Sequence, residues 1–370
     1  MPRIALLGCG GFIGSHCLDA FLADPSMEVQ GWDWTAAKIG GHLDRPNFRF
    51  HAGDIYARTD LEERFASCDA VISLAAICNP SQYNTRGVDV IESNFIQARK
   101  IADLCARTRT WLIQFSTSEV YGQTLAHWTG SREPRADLYE MDEESTPLLL
   151  GPIASRRWSY ACAKQLLERY IYALHKEREL PFTLIRPFNF LGPRMDFLPG
   201  REGASGFGSR SRSDGEGLPR VLACFTSALL DRRPLPLVDG GSARRTFLAV
   251  EEAVQALVLM LAKPEAARNR IFNLGNPANE TTIRGLAERM RAAAARVTGD
   301  TGFLDLPLRD VTAEEFYGEG YADSDRRMPR IDKALGLGWS PREGLDSILG
   351  RVLEHAFSIH APVPAPGRPG

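Results

Sequence analysis

A tyrosine and a lysine four residues apart, Tyr160 and Lys164, fall in a helical stretch running from Tyr160 to Glu177 and so share one face. A phenol that ionises near pH ~10 cannot act as a base at neutrality, but an ammonium beside it that also contacts a cofactor would stabilise the phenolate. Tyr-x-x-x-Lys alone is usually a solvated helix face. Here it follows Phe115-Ser116-Thr117-Ser118-Glu119-Val120-Tyr121-Gly122, a strand end that places hydroxyls where a substrate would lie. Thr117 then reads as a hydroxyl partner of Tyr160 and Lys164, and Arg157, three residues before Tyr160, is aimed at the same place.

A second pattern opens the chain. In Gly8-Cys9-Gly10-Gly11-Phe12-Ile13-Gly14, the glycines at 8, 11 and 14 form G-x-x-G-x-x-G between an apolar strand and a helix. This is a variant of the dinucleotide fingerprint, in which missing side chains let backbone N–H groups reach a pyrophosphate at a helix N-terminus. Asp33 ends the next strand, where a carboxylate binds the adenosine ribose hydroxyls and repels a 2′-phosphate, so the expected cofactor is NAD rather than NADP. Asp54, followed by Ile55, is expected to end the third strand beside the adenine.

These residues need a frame, and the first half of the chain has the pattern of one. Short apolar runs at Ile4–Leu7, Val29–Trp32, Phe48–His51, Ala70–Leu74, Trp111–Phe115 and Phe182–Ile185 alternate with helical stretches such as Phe12–Ala23, Val90–Ala106 and Tyr160–Glu177. That alternation predicts an α/β fold with a doubly wound parallel sheet and right-handed crossovers, its ligands beyond the carboxyl ends of the strands. Residues 1–187 are expected to form mainly the dinucleotide-binding domain and 188–360 mainly a smaller substrate-binding lobe, with some segments returning to the first. Residues 200–217, rich in Gly, Ser and Arg, read as a mobile loop, and 361–370 as a disordered tail.

Composition narrows the classes. The chain has 370 residues, 44% of them hydrophobic and 24% charged, enough to bury a core without disulfides or a structural metal. Forty-four basic and 46 acidic side chains leave a net charge of −2, so no global field attracts nucleic acid or anionic lipid. Seven cysteines with no C-x-x-C pair argue against a zinc site or a disulfide framework and fit a reducing cytoplasm. No signal peptide or membrane span is expected, since the longest later apolar stretch, around Ala256 to Ala262, is far below the ~20 residues a span needs.

At this point the sequence resembles the extended short-chain dehydrogenase/reductase family, whose members modify nucleotide sugars. Within it, Leu74-Ala75-Ala76-Ile77-Cys78-Asn79-Pro80, Gln82-Tyr83-Asn84-Thr85-Arg86, Arg157–Lys164, Arg186-Pro187-Phe188-Asn189, Gly192–Phe197, Val238–Gly241, Phe272–Pro277 and Tyr317-Gly318-Glu319-Gly320-Tyr321 resemble the UDP-glucuronic acid decarboxylase group, and most of all the plant-type UDP-apiose/UDP-xylose synthases. The resemblance implies a Rossmann-type fold, NAD, a UDP-sugar substrate and a homodimer paired through the helix carrying Tyr160 and the one after the fourth strand. It implies that Tyr160 takes the proton of the sugar C4 hydroxyl as hydride leaves C4, and that Glu119 and Arg327 manage substrate charge and enolate protonation. Tyr83, Arg157, Asn189 and Tyr321 would line the sugar site and Arg245 would meet the diphosphate.

The chain departs from that pattern once. The plant-type enzymes have a cysteine beside the catalytic glutamate, whereas Ser118 stands here, as in decarboxylases that stop at the 4-keto-pentose. Ser118 reads as a hydrogen-bond donor rather than a base, while Cys78 matches the other cysteine of the plant pattern and lies in the same crevice. Two other readings compete. One is a nucleotide-sugar 4-epimerase or 4,6-dehydratase, of which the dehydratase would want an Asp-Glu pair directly after Thr117, where Ser118-Glu119 stands; the other, a non-catalytic NAD sensor, would lose the Tyr/Lys pair that this chain keeps.

Overall fold

Ile4, Ala5, Leu6 and Leu7 are all buried, so the first strand, β1 (Arg3–Leu7), meets apolar side chains on both faces. The two faces are separate cores. Ile4 and Leu6 pack with Cys17, Phe21 and Leu257, while Ala5 and Leu7 pack with Phe65, Ile101 and Leu167. The same alternation recurs in β4 (Ala70–Ser73), β5 (Trp111–Phe115) and β6 (Phe182–Pro187).

In this computed structural model, which describes residues 2–131, 133, 135–195, 220–317 and 324–360, these strands join β2 (Glu28–Asp33), β3 (Phe48–Ala52) and β7 (Arg270–Leu274). All pairs in this sheet are parallel, in the order β7-β6-β5-β4-β1-β2-β3. The order reverses between β1 and β4, which opens a crevice at their carboxyl ends. Helix α1 (Phe12–Phe21) and the helix Val250–Ala262 pack on one face; α2 (Ala98–Thr108) and α3 (Trp158–Arg178) cover the other.

The six strands expected from the sequence are present within a residue or two of their ends, and the sheet is doubly wound as expected. β7 was not among them. It returns to the sheet from beyond residue 188, and only five residues, Arg270–Leu274, carry it. The helix expected over Val90–Ala106 is broken: Gly87–Ile91 is α-helical, Glu92–Gln97 is π-helical, and α2 follows. β3 stops at Ala52, two residues before Asp54, which instead caps the short turn Ile55–Ala57 by accepting from the Tyr56 N–H. The segments 200–217 and 361–370 lie outside the described residues.

A second, four-stranded sheet joins three strands from beyond β6 to Glu140–Met141, which precedes β6 and pairs with Arg326–Pro329. Arg244–Thr246 runs parallel to Arg326–Pro329, with Arg245 opposite Arg327, and antiparallel to Glu280–Thr282. Alternation sends neighbouring arginines opposite ways: Arg244 and Arg326 meet Glu280 at 3.0 and 2.6 Å, while Arg245 and Arg327 line the cavity below.

Candidate active site

The glycine turn after β1 is shaped by contacts that no side chain could share. Gly8 has φ +88°, and a Cβ on Gly14 would stand 2.1 Å from the Gly8 carbonyl oxygen. The Gly11 N–H donates to that same oxygen at 3.2 Å, and α1 begins directly after Gly11 with no side chain capping it and no acidic residue in its first turn. Asp33 closes the turn from the side, its carboxylate accepting from the Gly10 N–H at 2.9 Å and the Thr35 N–H at 3.2 Å. Burial raises the Asp33 pKa above the usual carboxylate range, opposed by those N–H bonds and by Lys38. A backbone cradle that excludes any Cβ, an uncapped helix start and a carboxylate at the end of β2 fit NAD. Gly8, Gly11, Gly14 and Asp33 would hold it, and Phe12 and Ile13 line the cavity that continues from the turn. Asp54 spends its carboxylate on its own turn and Ile55 is buried among Trp32, Leu61 and Phe65.

That cavity, about 510 Å³, runs from Phe12 to Arg327 and is lined by Cys78, Tyr83, Thr117, Ser118, Glu119, Arg157, Tyr160, Lys164, Asn189 and Arg245 as well. The expected catalytic and sugar-site residues thus meet in one place, except Tyr321, which lies outside the described residues; of the expected cofactor residues Phe12, Ile13, Tyr160 and Lys164 line the cavity, while Gly8, Gly11, Gly14, Asp33, Asp54 and Ile55 do not. Tyr160 and Lys164 share a face of α3, with the Lys164 Nζ 6.0 Å from the Tyr160 ring centre, and Tyr83 stacks on Tyr160 at 5.0 Å and 11°.

Lys164 donates to the Phe115 carbonyl at 3.2 Å, and Tyr160 is raised well above the ordinary phenol range, first by burial and then by Cys78 and Glu119, while its bond with Thr117 opposes the rise. Burial pulls Lys164 down to about 8. Burial thus disfavours the phenolate in the chain without cofactor, and the positive charge that bound NAD⁺ would add is what favours it.

Opposite Tyr160 sits Glu119, placed by the turn Ser118–Tyr121, in which Thr117 accepts from the Glu119 N–H. Gln165 of α3 pins that turn by donating to the Val120 carbonyl at 2.6 Å. Arg157 donates to Glu119 Oε1 at 3.0 Å, and Arg327 stands 3.8 Å from the same oxygen. Glu119 Oε2 is buried with no hydrogen-bond partner among the described residues. Asn189, at φ +43°, donates to the Thr246 carbonyl, and Arg245 donates to the Ser324 carbonyl at 2.7 Å. Cys78 is exposed to the cavity.

Sequence reasoning missed several participants. Asn94, buried in the π-helical stretch, donates to the carbonyls of Ile77 and Val90, both at 2.9 Å, and so holds the segment that carries Cys78. An asparagine on the apolar stripe of Val90, Ala98 and Ile101 was the available signal. His127, Arg220, Phe225 and Phe316 also line the cavity, with no motif to mark them.

The crevice, the glycine turn and the Tyr/Lys pair are those of a nucleotide-linked oxidoreductase, and the chain belongs to the NAD dependent epimerase/dehydratase family, which matches residues 4–275. It is 44% identical over 369 residues to UDP-D-apiose/UDP-D-xylose synthase 1 of Arabidopsis thaliana, covering 97% of this chain and 92% of that protein. Among solved structures it is similar to the PbgP3 protein from Burkholderia pseudomallei, at 29% identity and TM-score 0.79, over 97% of this chain and 98% of that one. It also shares its fold with the UDP-glucuronic acid 4-epimerase from Bacillus cereus in complex with UDP-glucuronic acid and NAD, at 19% identity and TM-score 0.74, over 97% of this chain and all of that one, 100%.

Proposed function

We propose that this chain decarboxylates UDP-glucuronic acid with NAD through a UDP-4-keto-pentose, and carries that intermediate on to UDP-apiose and UDP-xylose. The observation that carries this reading is Glu119, a partly buried carboxylate between the guanidinium groups of Arg157 and Arg327, in one cavity with Tyr160. Guanidinium groups suit a uronic acid substrate, and the Arabidopsis relative, similar over nearly the whole chain, bears the name of the same reaction.

NAD, when bound, accepts hydride from the sugar C4 and returns it after CO₂ has left. The chain's own residues handle protons and charge. Tyr160 takes the C4 hydroxyl proton, leaving a ketone β to the C6 carboxylate. The C5–C6 bond then breaks, CO₂ departs, and its electron pair enters an enolate whose charge Arg327 faces and whose C5 takes a proton from water beside Glu119. Tyr83 and Asn189 border the sugar and Arg245 its diphosphate; Tyr321 is assigned to the same sugar pocket. For UDP-apiose, the C2–C3 bond opens by retro-aldol cleavage and an aldol closure makes the smaller ring. Cys78 is the thiol at hand for proton movement there, with Ser118 as a donor. Ser118 is also what favours the second reading, a decarboxylase that stops at the 4-keto-pentose or at UDP-xylose. Incubating the purified chain with UDP-glucuronic acid and NAD⁺ tests the reaction: CO₂ and a UDP-pentose are expected, and recovery of unchanged substrate overturns it.

The same reading makes the chain a homodimer. Ile91, Leu166 and Tyr172, on the helical run after β4 and on α3, are large apolar side chains exposed to solvent, which a second copy would cover. Light scattering at micromolar concentration is expected to give twice 40.9 kDa; a monomer mass contradicts the pairing. Among the described residues no helix is long and apolar enough to cross a membrane. Among the described residues no disulfide joins the cysteines, and we assign the enzyme to a reducing cytoplasm.

A further inference from the structure

Glu168 follows Lys164 by one turn, so Tyr160, Lys164 and Glu168 occupy one stripe of α3. The Glu168 carboxylate is buried and meets Arg186 of β6 in a forked pair, Nη2 to Oε2 at 2.6 Å and Nε to Oε1 at 3.1 Å. The remaining arm of Arg186 donates to the Glu143 carbonyl at 3.3 Å. Its guanidinium also lies 4.7 Å from the centre of the Tyr121 ring. Tyr121 ends the turn that carries Ser118 and Glu119, and its hydroxyl donates to Asn273 Oδ1 on β7 at 2.8 Å. Arg186 therefore touches both halves of the active site from behind, and neither it, Glu168 nor Tyr121 lines the cavity.

We infer that the buried Glu168–Arg186 pair positions the active site, fixing the helix that carries Tyr160 and Lys164 against the turn that carries Ser118 and Glu119 and keeping a carboxylate beside the Lys164 ammonium. The inference rests on the roles proposed above for Tyr160 and Lys164. A buried ion pair is a poor stabiliser, because desolvation offsets its attraction and apolar residues of equal volume do as well or better. What the charges add here is geometry and field. The groups that face Lys164 are the Phe115 carbonyl of β5, the Cys78 thiol after β4, and Tyr160 and Glu168 on its own helix. Burial lowers the Lys164 pKa, while Cys78 and Glu168 raise it. Without Glu168 the ammonium gives up its proton at lower pH, and the alkaline limb of turnover moves the same way.

Removing one partner would leave a buried charge alone and could unfold the chain, so the informative variant replaces both, Glu168→Leu with Arg186→Met. The chain has six lysines, so ¹³Cε-lysine labelling gives a spectrum in which Lys164 is assigned by its loss in Lys164→Arg. With NAD bound, the Lys164 midpoint is expected about one pH unit lower in the double variant than in the parent, a tenfold change in proton affinity. On UDP-glucuronic acid, kcat is expected to fall about tenfold or more with KM within about twofold, as for groups that act only in the transition state. An unmoved Lys164 midpoint or an unmoved kcat overturns the inference. A parent chain that does not turn over UDP-glucuronic acid faults the substrate reading instead, and the Lys164 midpoint then decides the role of the pair by itself.

Discussion

Tyr160→Phe is expected to keep its fold and its NAD affinity and to lose about 10³-fold in turnover of UDP-glucuronic acid. The ring is already held without the hydroxyl: it stacks on Tyr83 at 5.0 Å and packs with Val90 and Ile77. What phenylalanine removes is the oxygen that bonds Thr117 and would receive the C4 proton. Circular dichroism and calorimetry with NAD check the first part and kcat the second. Substantial CO₂ release by this variant would place the acid/base elsewhere.

Reversing charge at the other end of the crevice has the second large effect. Asp33→Arg is expected to weaken NAD by roughly 100-fold, the scale of one or two lost charge-assisted hydrogen bonds at about 1.5–3 kcal/mol each. Asp33 also accepts from the Gly10 and Thr35 N–H groups, so Asp33→Asn, which keeps an accepting oxygen and the side-chain size, separates turn geometry from ribose binding. Asparagine should lose less affinity than arginine. Unchanged calorimetric affinity in Asp33→Arg would remove Asp33 from the cofactor site.

Local pattern made much of this legible. β1 and the glycine turn are contiguous in sequence, and the Tyr160–Lys164 spacing is a property of one helix, so each could be read without knowing the rest of the fold. What escaped depends on long-range pairing between very short elements. Arg245 and Arg327 come side by side because strands of three and four residues, Arg244–Thr246 and Arg326–Pro329, pair across 82 positions of chain, and no periodicity is long enough to announce them. β7 escaped for the same reason.

Electrostatics was the least legible. The sequence places an ammonium beside a phenol, but only the folded chain reveals that Lys164 is bound to the Phe115 carbonyl and that burial governs Tyr160. The Arg186–Glu168 fork likewise joins a strand to the middle of a helix, with no motif for the pair. The resemblance to a known family supplied what physics of the single sequence did not, the assignment of Glu119 and Arg327 to one site, and the fold brings them to 3.8 Å.

The product of the reaction tests the central claim most directly. When the purified chain is given UDP-glucuronic acid and NAD⁺, NMR of the mixture is expected to show a branched, ring-contracted UDP-apiose beside UDP-xylose, with Cys78 supplying the thiol that Ser118 does not. A spectrum holding only UDP-xylose or UDP-4-keto-pentose would contradict the ring contraction and leave a simple decarboxylase, and gain of UDP-apiose in Ser118→Cys would then identify the missing thiol as the cause.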